Sequence, residues 1–145
     1  MDMNELWKEL ALLADHAKTA VLATMDTKDR PHMRWVTPVI LDDRFGSIYM
    51  VTSPEFTKVN HVLANPGIEW MFQTTSLDTI ITVSGPMKIC RNASLCSEVL
   101  ELVSPRLRTF WKLNENPHEM VVLETIAAKA VFFKPVEGTK ETITF

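Results

Sequence analysis

Between Thr19 and Thr52 three short, apolar, partly β-branched runs follow one another: TAVLATM, HMRWVTPVIL and SIYMVT. The segments between them, DTKDRP and DDRFG, are turn chemistry. Connections this short join antiparallel neighbours and leave no room for the crossover that parallel strands require. The pattern predicts an antiparallel meander over these three strands.

The flanking segments fill in the rest. Residues 3–18 place Leu6, Leu10, Leu13, Ala14 and Ala17 on one helical face beside Trp7, with Asp2 or Asn4 as the N-cap. Ser53-Pro54-Glu55 has the chemistry of a helix start, and Asn65-Pro66-Gly67 that of a stop. Strands are expected over 68–75 and 79–90, joined at Ser76-Leu77-Asp78, with a bulge or bend at Gly85-Pro86. Asn92 to Val103 has a helical pattern, and Ser104-Pro105 restarts a short helix toward Trp111. Glu119 to Lys134 reads as one final strand, and the tail from Pro135 has no assigned element. Helices interrupt the strands rather than alternate with them. That is an α+β fold with a mainly antiparallel sheet. About six strands in so short a chain favour a small barrel, because closure removes edges.

Composition narrows the function classes. The 145 residues fit a single domain, 1–145, and 46% hydrophobic with 23% charged residues is ordinary for a globular protein. A net charge of −3 provides no basic footprint for nucleic acid. No apolar run approaches the ~20 residues that span a bilayer, and MDMNELWKEL lacks the basic start of a secretory signal. Cys90 and Cys96, with no further cysteines, fit a reduced cytoplasmic protein with two ordinary thiols. His16, His32, His61 and His118 show no metal-ligand spacing, so no metal site is expected. Glycine-rich nucleotide loops and a G-x-S-x-G elbow are absent as well.

One arrangement stands out. Arg34 interrupts an otherwise apolar strand, and Lys58 occupies the first turn of the helix that starts at Ser53-Pro54, on the unfavourable side of the macrodipole. The first backbone N–H groups of a helix have no partners within it. With the hydroxyls of Thr52, Ser53 and Thr57 nearby, these groups and the two cations would form a cradle for a dianionic phosphate. The alternative is a pair of surface cations matched by acids such as Glu55. Strand alternation puts Arg34 and Val36 on one face, Trp35 and Thr37 on the other. The alternative for Trp35 is a core or dimer-interface aromatic, as it is for Trp70, Phe72, Phe110 and Trp111.

The succession RPHMRWVTPV, IYMVTSPEFTKVNHVLANPGIEWMF and ITVSGPMKI resembles the pyridoxamine 5′-phosphate oxidase-like family of FMN-binding split β-barrels, and most of all its short general-stress-protein subgroup. The resemblance implies a six-stranded Greek-key split β-barrel with flanking helices, working as a homodimer with flavin sites at the subunit interface. It implies that Arg34 and Lys58 hold the FMN phosphate, with Thr57 in the same loop, and that Thr52 bonds the phosphate or the ribityl chain. Trp35, Val36 and Thr37 would line the isoalloxazine, and Trp111 of the second subunit would close the site. There are departures. The family's Ser-(Arg/Lys)-Lys loop reads Phe56-Thr57-Lys58 here, and a polar position of the fifth strand is Ile80 or Ile81. The Arg-x-His pair with which the true oxidases hold pyridoxal phosphate is missing from the C-terminal VFFKPVEGTKETITF. The expected function is an FMN-dependent oxidoreductase other than pyridoxamine phosphate oxidase. The alternative is a stress-response module that holds flavin or haem without turnover; a deazaflavin would need a wider, more basic groove.

Overall fold

The computed structural model describes residues 1–53, 60–61, 65–110 and 120–145. Helix α1 (Met3–Ala17) begins with a capping box: the Asp2 carboxylate accepts from Glu5 N at 2.8 Å, and the Glu5 carboxylate accepts from Asp2 N at 3.2 Å. Lys18 ends it in the left-handed region, its N–H bonded to the Ala14 carbonyl. Leu6, Trp7, Leu10, Leu13 and Ala14 are buried, while Ala17 is exposed at the last turn.

Eight strands follow: β1 (Ala20–Met25), β2 (Pro31–Val36), β3 (Ser47–Thr52), β4 (Gly67–Gln73), β5 (Ile80–Ile89), β6 (Val121–Ile126), β7 (Lys129–Lys134) and β8 (Thr139–Thr144), with helix α2 (Ala93–Phe110) between β5 and β6. Every ladder is antiparallel. Six strands form one path, β2-β1-β4-β5-β6-β3, and the hairpin β7–β8 attaches to β5. This is the mainly antiparallel, split-barrel α+β architecture expected from the sequence. Among the described residues no ladder joins β3 to β2, so the sheet is not closed.

The structure corrects several local expectations. The first three strands are not a meander: β3 pairs with β6, and only the single bridge Val39–Tyr49 links it to the segment after β2. The stretch 119–134 is two strands along one edge of β5, broken at Ala127-Ala128: β6 pairs with Met87–Ile89 and β7 with Ile80–Ser84. The tail forms β8. Helix α2 runs unbroken through Pro105 to Phe110 rather than restarting, with Asn92 Oδ1 accepting from Leu95 N at 3.1 Å at its start. The helix expected after Ser53 lies largely outside the described residues; Asn60 and His61 are helical.

Strand β5 joins the two halves of the fold. On one edge it pairs with β4 as far as Pro86; on the other it pairs with β7 up to Ser84 and with β6 from Met87. The change falls at Gly85-Pro86. A Cβ on Gly85 would run into the carbonyl of Ile126 and sit 3.1 Å from Ala128 N, so only glycine lets the two chains cross there. The two faces of β3 and β6 serve different cores. Ile48, Met50 and Leu123 join the main core with α1, Trp70, Phe72 and Val83. Tyr49, Val51 and Val122 pack under α2 against Leu95, Val99 and Val103. Each such fully buried side chain contributes about 1.5–3 kcal/mol of burial free energy. No helix among the described residues is long and apolar enough to cross a membrane.

Candidate ligand site

The β1–β2 hairpin is set by its turn. Asp26 accepts from Lys28 N at 2.8 Å, Arg30 N at 2.9 Å and His32 Nε2 at 2.8 Å. The His32 contact first, and then the Arg30 N–H, hold its carboxyl well below the usual carboxylate range. The turn fixes the register, which pairs Leu22 with Arg34 and Thr24 with His32. Since Ala20 and Leu22 belong to the main core, Thr24, His32, Arg34 and Val36 occupy the inner rows of their strands.

Arg34 is therefore a cation on a core-facing row. It is half-buried, and its Nη1 donates to Thr24 Oγ1 at 2.7 Å, with the Leu22 carbonyl at 3.5 Å. Burial lowers its proton affinity, yet a guanidinium stays charged. Among the described residues no carboxylate lies within ion-pair distance of it. A partly desolvated cation without a counter-ion favours an anionic ligand.

Thr52 ends β3 on the row that carries Ile48 and Met50. The alternating strand senses bring the C-terminal ends of β1 and β3, and with them Thr24 and Thr52, to the same end of the sheet. Its hydroxyl is buried and has no hydrogen-bond partner among the described residues. Such a group costs free energy unless something bonds it. His61 reaches the same end of β1, its Nδ1 3.1 Å from Thr24 Oγ1 and its ring 4.9 Å, centroid to centroid, from that of His32. Burial first, then the charges of His32 and Arg34, push the His61 imidazole below the ordinary histidine range.

The sequence-derived residues are thus only partly brought together. Arg34 and Val36 share the inner face, and Thr37 follows β2 half-buried. Trp35 projects to the opposite face, 63% exposed, beside Met33 at 74%. Thr57, Lys58 and Trp111 lie outside the described residues. Trp70 and Phe72 are core residues, stacked at 5.7 Å. Cys90 and Cys96 are free thiols; burial pushes the Cys96 thiol up to about 11, the opposite of a reactive cysteine. Sequence reasoning missed Thr24, Asp26, His32 and His61. A signal existed for the first three: once the hairpin is recognised, its register puts polar side chains in a row beside Arg34. His61 has no local signal, since only the tertiary fold brings it to β1.

The family model described as pyridoxamine 5′-phosphate oxidase matches residues 6–133. The chain belongs to the pyridoxamine 5′-phosphate oxidase family. Solved structures share the fold at low identity. A Clostridium acetobutylicum protein related to general stress protein 26 superposes with a TM-score of 0.77 at 12% identity, covering 100% of this chain and 97% of that one. General stress protein 26 of Bacillus anthracis gives 0.73 at 16%, covering 94% and 97%. A FAD-binding protein of Mesorhizobium loti gives 0.69 at 12%, covering 84% and 89%. At these identities the likeness speaks for the fold. No curated protein matches the chain. Within the family's barrel, the half-buried Arg34 and the unpartnered Thr52 hydroxyl are two donors at one end of the sheet, suited to an oxyanion.

Proposed function

We propose that this chain is a flavoprotein that binds FMN through its phosphate and serves as an oxidoreductase other than a pyridoxamine phosphate oxidase. The observation that carries the reading is Arg34, a half-buried cation without a carboxylate partner among the described residues. Thr52 supports it, because a ligand oxygen would satisfy its buried hydroxyl. Family membership and the FAD-binding protein of the same fold also support a flavin. A bound flavin would supply the electron-transfer chemistry, and the chain would bind and orient it. Arg34 would hold the phosphate, with Lys58 and Thr57 of the following segment, and Val36 and Thr37 would border the ring. The β7–β8 hairpin, which includes the C-terminal sequence, has no Arg-x-His pair for pyridoxal phosphate.

We further propose a homodimer. The outer face of β2 exposes Met33 and Trp35, and its register continues through Val21, Ala23 and Met71. An exposed apolar sheet face of this kind suits a second copy. Trp35 then belongs to the interface and contributes to the flavin site that the partner completes, together with Trp111.

The test is the absorption spectrum of the purified protein after incubation with FMN and desalting, with FAD and riboflavin run alongside. Retention of FMN above the other two supports the reading. Retention of FAD alone moves the site to the dinucleotide, and a colourless protein in all three rejects the flavin.

A further inference from the structure

The contact between β1, β2 and His61 has no part in the flavin reading. Thr24 is 1% exposed, and its hydroxyl meets Arg34 Nη1 at 2.7 Å and His61 Nδ1 at 3.1 Å. A guanidinium only donates, so Thr24 Oγ1 accepts from Arg34 and keeps its own proton for His61. That makes Nδ1 an acceptor, and the neutral His61 ring carries its proton on Nε2. Protonating Nδ1 would make both neighbours of Oγ1 donors and leave the buried threonine proton without an acceptor. Among the described residues the charged and titratable groups facing His61 are His32 and Arg34 of β2 and Asp26 of the β1–β2 turn. The first two oppose a charge on His61, and Asp26 favours one while engaged with His32 at 2.8 Å.

We propose that Thr24 wires Arg34 to His61, so that an oxyanion of the phosphate monoester class held by Arg34 and a proton on His61 favour each other's binding. The proposal rests on the reading of Arg34 as the anion-holding residue. An oxyanion offsets the guanidinium charge and competes with Thr24 for its N–H groups. The threonine hydroxyl then turns its proton to the oxyanion and accepts from His61, and the ring charges more easily. Linkage makes the effect reciprocal: an anion that raises the proton affinity of His61 is itself held more tightly as the pH falls. His61 acts as a positioning residue through Thr24 and is not a direct ligand.

The test follows the His61 imidazole by NMR through a pH titration of the full chain, with sulfate as the probe, because sulfate keeps its charge where histidine titrates. Saturating sulfate should move the His61 titration upward by about half a pH unit or more, and sulfate should bind about threefold tighter near pH ~5.5 than near pH ~8. Thr24→Val should abolish both responses and Thr24→Ser should keep them. His32→Gln should leave the sulfate-induced shift in place. A His61 titration unmoved by bound sulfate overturns the proposal, as does an unchanged response in Thr24→Val, and neither result touches the flavin reading. If Thr24→Val fails to fold, the two titrations of the parent chain decide alone. FMN at micromolar concentration should produce the same shift. If inorganic phosphate produces it and FMN does not, the coupling stands with free phosphate as ligand and the flavin reading falls. If no anion binds at Arg34, both fall.

Discussion

The indole N–H of Trp70 donates to the hydroxyl of Thr125 at 2.9 Å, and both side chains are completely buried. The bond runs from β4 to β6, strands that never pair, and so ties the two halves of the fold through the core. Thr125→Val keeps the shape and leaves the indole N–H without a partner. It should cost about 1–3 kcal/mol in denaturant unfolding, while Thr125→Ser costs less. Equal losses in the two variants would show that the methyl group, not the hydroxyl, matters.

Gly85→Ala should be among the most damaging single-methyl additions. The new Cβ meets the Ile126 carbonyl, which is backbone and has no rotamer to yield. We expect a loss of about 3 kcal/mol or failure to fold, measured by urea unfolding. Gly138→Ala should be milder: its positive φ adds strain, but no atom lies within 4 Å of the new Cβ.

Arg34→Gln should weaken FMN about tenfold to a hundredfold, the worth of a charge-assisted hydrogen bond of roughly 1.5–3 kcal/mol. Riboflavin, which has no phosphate, should bind the variant and the parent alike. Paired titrations followed by flavin fluorescence give both numbers. A parallel loss of riboflavin would locate Arg34 at the ring instead.

Trp35→Glu places a charge in the middle of the exposed face of β2. Sedimentation should show the parent chain as a dimer at micromolar concentration and the variant shifted toward monomer. The variant should keep the parent's secondary structure by circular dichroism, since Trp35 makes no part of either core. A parent chain that sediments as a monomer rejects the interface.

Tyr49 is the only tyrosine, so its titration can be read directly from phenolate absorbance. Burial first, and then its 2.7 Å bond to the Glu124 carboxylate, push the phenol up to about 12 from an ordinary 10.0. A folded-state value above the unfolded one means a contribution present below the unfolded value and lost as pH climbs through the folded one. Stability should therefore decline between about pH 10 and about pH 12, and Tyr49→Phe should remove that part of the decline.

Much of the fold was legible where local chemistry decides it. The Asp26–Pro31 turn, the turn at Leu77 with its positive φ, the capped α1 and the bend at Gly85-Pro86 all appear where their residues imply. The pairing of β3 was not legible, because SIYMVT suits β2 or β6 equally and only the whole sheet chooses. The break at Ala127-Ala128 escaped notice since LETIAAKAVFF carries no glycine or proline to mark it. Ser104-Pro105 suggested a new helix, yet α2 passes through the proline. Within the site, Arg34 and Thr52 were legible as polar residues in apolar strands, and the Thr24–His61 contact was not, being made across 37 positions of sequence.

The pairing of β3 with β6 also sets a schedule for the growing chain. Tyr49 and Glu124 are 75 positions apart. At about 5–20 residues per second, β3 leaves the ribosome roughly 4–15 s before the strand that will hold it. Through that wait Ile48 and Met50 lack β6, and Val51 is uncovered until α2 has been made. The newborn protein is most exposed to misassociation in its middle third, and rescue comes only when the last quarter has been made.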